Sequence, residues 1–340
     1  IESSLKKRQE LQAQIDQWHQ QFPGTPDPDR YYEFLKRIGY LEELVNDFQV
    51  KTDPNTMDPE ITSVPGPQLV VPVDNARYAL NAVNARWGSL YDAMYGTDVI
   101  TSTDALSKEN NQFNPARALK VIDDVFDMMD EFFPLENDLS HRRVIFYENQ
   151  THDETNSSKM FLKITMSDGT VTQLKHPEKY LGYQRATELT NTKAAKYAII
   201  LQHHGIKFKL IISDYFHRIA RLNLSHISDV QVEGALTTIM DFEDSVASTN
   251  CSDKVKCYSN WLGLMKGDLT SSFQKNNKTV NRQLNSPESY FNSDDQVLKL
   301  PNRSIILVRN VGSHLKTNAV KYEDQPIPET ILDAVLIGLI

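Results

Sequence analysis

Residues 234–268, GALTTIMDFEDSVASTNCSDKVKCYSNWLGLMKGD, decide the fold of this chain. Residues 235–240 are an apolar and β-branched run, which is typical of a buried strand. A polar loop and an amphipathic helix follow, and one face of that helix carries Val255, Tyr258, Leu262 and Met265. Strand, acidic loop and helix together predict one βα unit. In parallel α/β folds, the chemistry lies at the carboxyl ends of such strands.

Three carboxylates follow this strand within four residues: Asp241, Glu243 and Asp244. Like charges this close raise each other's pKa unless a metal ion, an arginine or ordered water compensates them. A simpler interpretation is that Asp244 and Ser245 only cap the next helix. The pattern alone leaves both interpretations open.

Two further apolar runs, residues 68–73 (QLVVPV) and 303–308 (RSIILV), are predicted to form buried strands. The first is followed by Asn and Arg residues, and the second ends directly before Arg309. Long insertions separate the three runs. This arrangement predicts an α/β fold in which they are the first three strands of a partial TIM (β/α)₈ barrel, with functional groups at its C-terminal face.

Arginines outside these strands are candidates for anion contacts. A polar and basic segment directly after a buried strand can bind a phosphate or another anion. The commoner fate of a single arginine is pairing with a local acid or exposure to solvent. Both interpretations apply to Arg77, Arg86 and Arg282.

The remaining segments lack the strand-and-helix alternation of the three units described above. Residues 1–65 predict a small helical element, with helices over residues 1–20 and about 30–38, followed by a linker rich in Pro, Asp and Thr. Between residues 95 and 231, helix and hairpin signals alternate without a βαβ rhythm. The simplest interpretation is an antiparallel α+β domain inserted into a loop of the other fold.

Composition narrows the functional classes. The 340 residues are 40% hydrophobic and 24% charged, and the net charge of −9 argues against a nucleic-acid-binding surface. No apolar run approaches a membrane span, and IESSLKKRQELQ at the start has no signal-peptide core. Two cysteines, Cys251 and Cys257, fit a reducing compartment and form no metal-ligand pattern. We therefore expect a globular protein that binds neither nucleic acid nor membrane.

The residues at both ends of the sequence predict that this chain is a piece of a longer protein. The sequence begins at Ile1 without an initiator methionine, and it ends inside the apolar helical run ILDAVLIGLI. A natural domain rarely stops with such a helical face unpaired and uncapped.

Four segments of the chain resemble malate synthases of the G isoform. They are GPQLVVPVDNARYALNAVNARWGSLYDAMYGTD at 66–98, TTIMDFEDSVA at 237–247, NWLGLMKGDL at 260–269 and LVRNVG at 307–312. The resemblance implies a magnesium-dependent enzyme of the glyoxylate bypass. Such an enzyme condenses acetyl-CoA with glyoxylate and hydrolyses the resulting malyl-CoA to malate and CoA. It further implies a cytoplasmic protein that is monomeric when full length.

The resemblance also implies a domain plan: an N-terminal helical clasp, a barrel carrying an inserted α/β domain, and a C-terminal helical plug. On this sequence the parts are 1–65, clasp and linker; 66–86, first barrel strand and loop; 87–233, inserted domain; 234–266, second barrel unit; 267–303, second part of the inserted domain; and 304–340, third barrel unit.

Site residues follow from the same resemblance. Arg309 is the arginine expected to hold glyoxylate and to stabilise the acetyl-CoA enolate, a role that suits a permanently cationic fork of donors. Asp241 and Glu243 are expected to hold the waters of the magnesium ion. The expected acetyl-CoA contacts are Val70, Arg77, Tyr78, Ser245 and Arg282.

Some expected parts are absent from this sequence. The family's direct magnesium ligands and the aspartate that removes the methyl proton come after the equivalent of Ile340, so we expect the chain alone to be inactive. An extra residue, Ser313, also interrupts the segment that follows the Arg309 strand. The alternative hypothesis is a non-catalytic acyl-CoA-binding or partner-docking relative, and a third is a related barrel lyase. Further βα units in the parent chain would favour the enzyme over the binding protein.

Overall fold

The structure is a computed structural model that describes residues 2–103, 105–107, 112–151, 160–189, 195–275, 278–312 and 316–340. The chain divides into two compact units, Ile1–Thr56 and Met57–Ile340. Of the helices in these ranges, none is long and apolar enough to cross a membrane.

The first unit contains two helices, α1 (Glu2–Gln21) and α2 (Pro28–Arg37). Asp27 caps α2 by accepting a hydrogen bond from the Arg30 backbone N–H at 2.9 Å. The two helices meet at buried Trp18, whose ring lies 5.5 Å from the ring of Phe34. The two helices predicted from the sequence are thus confirmed, with bounds shifted by one or two residues.

The second unit holds the other elements. Its helices are α3 (Pro59–Thr62), α4 (Ala76–Val83), α5 (Leu90–Gly96), α6 (Pro115–Phe132), α7 (Cys251–Lys266) and α8 (Glu329–Leu339). Its strands are β1 (Gln68–Pro72), β2 (Trp87–Ser89), β3 (Val144–Thr151), β4 (Met160–Met166), β5 (Val171–Thr172), β6 (Tyr180–Arg185), β7 (Ala195–His203), β8 (Ile206–Ser213), β9 (Ile227–Glu233), β10 (Thr237–Asp241), β11 (Ser271–Lys275), β12 (Lys278–Arg282), β13 (Glu288–Asn292), β14 (Val297–Leu300), β15 (Ile305–Arg309), β16 (Lys316–Tyr322) and β17 (Gln325–Pro328).

Strands β1, β10 and β15 form a parallel sheet in that order, which confirms the three predicted strands. Their register aligns Val71, Met240 and Val308 on one face. That face packs in a core with residues of α4 and α7, including Leu80 and Trp261. The chain therefore builds two successive β-strand and helix units around one apolar layer, as its hydrophobic pattern predicts.

The opposite face of this sheet corrects the expectation of fully buried strands. Val70 on β1 is 56% exposed, and its neighbours across the sheet, Ile239 and Leu307, are only half-buried. All five residues of β15 are half-buried as well. The reason is that α4 and α7 cover one face, whereas successive side chains of a strand point to both faces.

A seven-stranded sheet in the order β14-β13-β6-β7-β8-β9-β2 forms the largest layer of the second unit. Its strands pair antiparallel, and α6 packs in the same core, which confirms the predicted antiparallel α+β segment. The β7–β8 hairpin turns at His204 and Gly205, both with positive φ. β13 and β14 reach this sheet from later in the sequence, whereas the β11–β12 hairpin contacts α4 instead.

Buried ion pairs mark the place where the chain passes between the two sheets. Trp87 on β2 pairs with Glu233 on β9, and the Gly234 N–H donates to the Arg86 carbonyl at 2.8 Å. The buried Arg86 guanidinium donates to Glu233 at 2.7 Å and to Glu60 at 2.6 Å. Arg86 therefore pairs with acids that are distant in sequence, and the structure excludes it as a free anion contact.

Candidate active site at the carboxyl ends of the parallel strands

An arginine and an aspartate form a two-pronged pair where β10 and β15 end. Asp241 and Arg309 are register partners on adjacent parallel strands. Arg309 Nε donates to Asp241 Oδ1 at 2.9 Å, and Nη2 donates to Oδ2 at 2.7 Å. Two parallel hydrogen bonds to one carboxylate fix both the position and the plane of the guanidinium. Because the Arg309 side chain is 41% exposed, its outer edge stays open to solvent.

The loop after β10 wraps its backbone around the same carboxylate. Asp241 Oδ1 accepts from the Glu243 N–H at 2.9 Å, and Oδ2 accepts from the Ser245 N–H at 3.0 Å and hydroxyl at 2.6 Å. Burial raises the pKa of Asp241, but the hydrogen bonds from Arg309, Ser245 and the backbone outweigh it and hold that pKa well below its usual value. The same pairing raises the pKa of Arg309 further above its usual value.

The other two acids of this loop also face Arg309. Glu243 Oε2 lies 3.9 Å from Arg309 Nε, Asp244 Oδ2 lies 3.4 Å from Nη2, and Glu243 Oε1 accepts from the Gly312 N–H at 3.0 Å. An arginine is thus the compensating cation. The interpretation that Asp244 and Ser245 only cap the next helix is wrong, because α7 begins at Cys251 and its cap is the Asn250 side chain.

Two predicted acetyl-CoA contacts meet at an aromatic ring. The Arg77 guanidinium, in the first turn of α4, lies 3.7 Å from the centroid of Phe273 on β11. The Arg282 guanidinium, at the end of β12, lies 5.9 Å from the same centroid. All three residues are on α4 and the hairpin that contacts it. Asn84 fastens this hairpin by bonding to the segment just after β12.

The other three predicted acetyl-CoA contacts lie on β1, on α4 and in the loop after β10. Val70 and Tyr78 are both exposed, on β1 and in the first turn of α4. The Tyr78 backbone N–H donates to the Asn75 side chain, which caps α4. Ser245 is exposed, although its hydroxyl is committed to Asp241.

Known proteins match this chain along nearly its whole length. A family model described as malate synthase G, alpha-beta insertion domain, matches residues 113–203, which contain α6 and strands β3 to β7. Malate synthase G of Halalkalibacterium halodurans is 42% identical over 99% of this chain and 44% of its own length. Malate synthase G proteins of Corynebacterium efficiens and Corynebacterium glutamicum are each 40% identical, over 98% of this chain and 42% of their own length.

The chain belongs to the malate synthase G family. It spans less than half the length of the curated relatives it matches. Its architecture is mixed α/β and includes the malate synthase G insertion domain.

The malate synthase G family is consistent with a metal cofactor. The acids at the end of β10 differ in whether their oxygens are available to a metal ion or to its waters. Both oxygens of Asp241 are occupied, Oδ1 by two donors and Oδ2 by three. A carboxylate so filled does not fit as a metal ligand. Glu243 Oε2 and the exposed carboxylate of Asp244 fit as acceptors for metal-bound water. Within the described ranges, the one group of three acids close enough to share an ion is on α6, away from this site: Asp123, Asp124 and Asp127.

Sequence reasoning missed two contributors to this candidate site. The ring of Phe273 lies near both predicted arginines, and its only signal is an aromatic residue within a polar, basic hairpin. The Gly312 backbone N–H holds Glu243, and a backbone donor leaves no mark in a sequence. The predicted effect of Ser313 on the following segment concerns a position outside the described residues.

The depressed pKa of Asp241 leads to a stability prediction. Asp241→Asn should lower the free energy of unfolding by about 1–3 kcal/mol at pH 7, because it breaks charged hydrogen bonds of a pair whose arginine is partly exposed. A depressed folded-state pKa stabilises the fold above the unfolded value of 3.8, and that stabilisation is lost as the pH falls below it. Urea unfolding of both proteins between pH 7 and pH 3 measures the difference.

The difference between wild type and Asp241→Asn should stay constant down to about pH 4 and shrink below it. Asp244→Asn is the control, since Asp244 is 74% exposed and its change should stay within about 0.5 kcal/mol. Equal destabilisation by the two variants would contradict the special role of the buried carboxylate.

Proposed function

We propose that the protein is a malate synthase that joins the methyl carbon of acetyl-CoA to the aldehyde carbon of glyoxylate. Hydrolysis of the malyl-CoA thioester then gives malate and CoA. The observation that carries this proposal is the fixed Arg309–Asp241 pair at the carboxyl ends of adjacent parallel strands. It is supported by 40–42% identity to proteins named malate synthase G.

Arg309 is the catalytic residue of this proposal. Its Nε and one N–H of Nη2 bind Asp241, so the outer N–H groups are left to receive anionic oxygens. Such a fork can hold the carboxylate of glyoxylate and stabilise the negative charge that develops on the thioester oxygen when acetyl-CoA forms its enolate. Asp241 acts as the positioning residue, because it sets the plane in which those donors lie.

Acetyl-CoA binds, in this proposal, across α4 and the β11–β12 hairpin. The Arg77 and Arg282 guanidinium groups supply positive charge for its phosphates, and both lie near the ring of Phe273. Val70 on β1 and Tyr78 on α4 offer exposed apolar and aromatic surface for the rest of the ligand. Ser245, the other proposed acetyl-CoA contact, donates its hydroxyl to Asp241 and so lies beside the Arg309–Asp241 pair.

Magnesium is the proposed cofactor. When bound, a magnesium ion supplies Lewis-acid charge for the reacting carbonyl oxygens. The resemblance gives the role of holding its waters to Asp241 and Glu243. Because donors fill both oxygens of Asp241, we propose Glu243 and its loop neighbour Asp244 for this role instead.

The proposed architecture extends the observed one. The parallel sheet represents the first three strands of a (β/α)₈ barrel, with the half-exposed face of Val70, Ile239 and Leu307 turned to the barrel interior. The domain plan is a clasp, a barrel and an insertion with the boundaries given above. A cytoplasmic monomer of the glyoxylate bypass completes the proposal.

Because we expect the chain alone to be inactive, release of CoA thiol is measured on a protein of its relatives' full length that contains this chain, and this release tests the proposed function. With acetyl-CoA, glyoxylate and Mg²⁺, we expect thiol release that stops when glyoxylate is omitted and when EDTA removes the metal. Thiol release without glyoxylate would indicate a thioesterase and contradict the proposal. Acetyl-CoA binding with no thiol release under any condition would favour the non-catalytic acyl-CoA-binding protein.

A further inference from the structure

A cavity of about 480 Å³ lies within the antiparallel part of the second unit, formed by α5, α6, β8, β9 and the loops beside them. This volume falls in the range of small-molecule sites. None of the residues assigned to malate synthesis lines it. Its apolar walls are Val121 and Ile122 from α6 and Ile211 from β8.

One end of the cavity carries a carboxylate that is hydrogen-bonded but lies near a second carboxylate. Asp229 on β9 accepts a hydrogen bond from the Ser89 hydroxyl at 2.7 Å and further hydrogen bonds from the Gln231 side chain and the Val230 backbone N–H. Burial, followed by the nearby charge of Asp92, raises the pKa of Asp229 to about 6 in spite of these hydrogen bonds. Two carboxylates around one cavity favour a cation between them.

Tyr91 supplies an unmet polar group to the same cavity. Its side chain lines the cavity and is 6% exposed, yet its hydroxyl has no hydrogen-bond partner among the described residues. Burial and then the charge of Asp229 raise the pKa of Tyr91 well above its usual value, so the hydroxyl stays protonated. An unpaired buried hydroxyl destabilises its surroundings, so a group that bonds to it binds favourably.

The other side of the cavity is aromatic with a cation at its rim. Tyr95 and Phe113 stack with ring centroids 5.9 Å apart and planes 14° apart. The guanidinium of exposed Arg218 lies 4.0 Å from the Phe113 centroid. Aromatic faces of this kind accept an apolar or aromatic body, and a cation at the rim accepts a carboxylate.

We propose that this cavity is a binding site for a small organic amine, whose protonated nitrogen lies between Asp229 and the Tyr91 hydroxyl and whose apolar body packs on Val121, Ile122 and Ile211. The nitrogen donates to the carboxylate and to the oxygen of the phenol. The body can be that of a simple amine or that of an amino acid, and Arg218 distinguishes these two sources. The site is independent of the proposed synthase activity.

Isothermal titration calorimetry of the intact protein at pH 7.5 tests the proposal with three probes of similar shape: phenethylamine, phenylalanine and 2-phenylethanol. We expect phenethylamine to bind with one-to-one stoichiometry and at least about tenfold more tightly than the neutral alcohol. Phenylalanine binding more tightly than phenethylamine, with the gain lost in Arg218→Gln, would assign the site to amino acids. Weaker binding of phenylalanine would assign it to simple amines.

Two variants locate the binding in the cavity. Tyr91→Phe removes only a hydroxyl without a described partner, so the fold should keep its melting temperature while phenethylamine affinity falls several-fold. Asp229→Asn keeps the side-chain shape and removes the charge, and affinity should fall at least about tenfold. Because the folded state raises the pKa of Asp229, its ionisation destabilises the fold as the pH rises toward 6. The Asn variant should therefore melt no lower than wild type at pH 7.5.

Asp138→Asn is the control for charge, since Asp138 is 94% exposed on the surface and does not line the cavity. It should bind phenethylamine like wild type. Failure of all three probes to bind at millimolar concentration would overturn the proposal and leave the cavity to water. Equal binding of phenethylamine and 2-phenylethanol, or wild-type binding by Asp229→Asn, would also overturn it.

Discussion

Replacing Arg309 with lysine should lower the turnover number of malate synthesis by about 10²–10³-fold, the loss typical when a donor to a developing oxyanion is removed. Lysine keeps the positive charge but cannot form the two parallel bonds to Asp241 that fix the guanidinium plane. The ammonium group would be drawn to the Asp241 carboxylate and away from the substrate. Initial rates of thiol release at varied glyoxylate concentrations measure turnover and KM separately.

Arg143→Lys is the matched control, because Arg143 is half-exposed and its guanidinium pairs with Asp168 in a surface hairpin. It should leave both kinetic constants unchanged. A rise in the KM for glyoxylate with unchanged turnover in Arg309→Lys would mean that Arg309 only binds the substrate, which contradicts the proposed stabilisation of the enolate. Thermal unfolding of each variant shows whether the fold is retained.

The second large effect is expected in the contact between α7 and α8. Buried Lys254 on α7 donates to Asp333 at 3.0 Å and lies 3.6 Å from Glu329, both on α8. The Tyr258 hydroxyl also donates to Asp333. Lys254→Met should lower the free energy of unfolding by about 3–5 kcal/mol, because it leaves two carboxylates buried without their cation.

Urea unfolding measures this change, and the chain offers a close control. Lys256→Met is the same substitution two residues along α7 at an exposed position, so its effect should stay within about 0.5 kcal/mol. Adding Asp333→Asn to Lys254→Met removes one stranded charge and should recover about 0.5–3 kcal/mol. Additive effects of these two substitutions would contradict the ion-pair explanation.

Much of the fold could be predicted because apolar periodicity carries it. The three strands of the parallel sheet, the antiparallel hairpins and the helix over residues 251–266 follow from runs of buried side chains and from turn residues. The one-sided burial of β1 could not be predicted from the sequence, because Val70 and Val71 are identical side chains that point to opposite faces. Only the packing of α4 and α7 decides which of the two is covered.

The candidate site likewise has features that the sequence predicts and features that it does not. Clustered acids after β10 indicated that a cation was needed, and the register of the parallel strands supplies it from Arg309. That register is a long-range property with no local signal. The pairing of Arg86 with Glu233 and Glu60 was equally invisible, because these acids are remote in sequence from the arginine. A basic residue after a strand therefore looks alike in sequence whether it binds a ligand or holds the scaffold.

The junction at Arg86 and Gly234 has a consequence for the order in which the chain folds. Pairing of β1 with β10 closes a loop of 169 residues between Gln68 and Thr237. If the antiparallel sheet forms first, pairing of β2 with β9 already holds the two ends of that loop together. Pairing of β1 with β10 then has to order only the short segments that join β1 to β2 and β9 to β10. The entropy cost of closing the loop is lower because these segments are short. The parallel sheet should therefore acquire hydrogen-exchange protection after the antiparallel one during refolding.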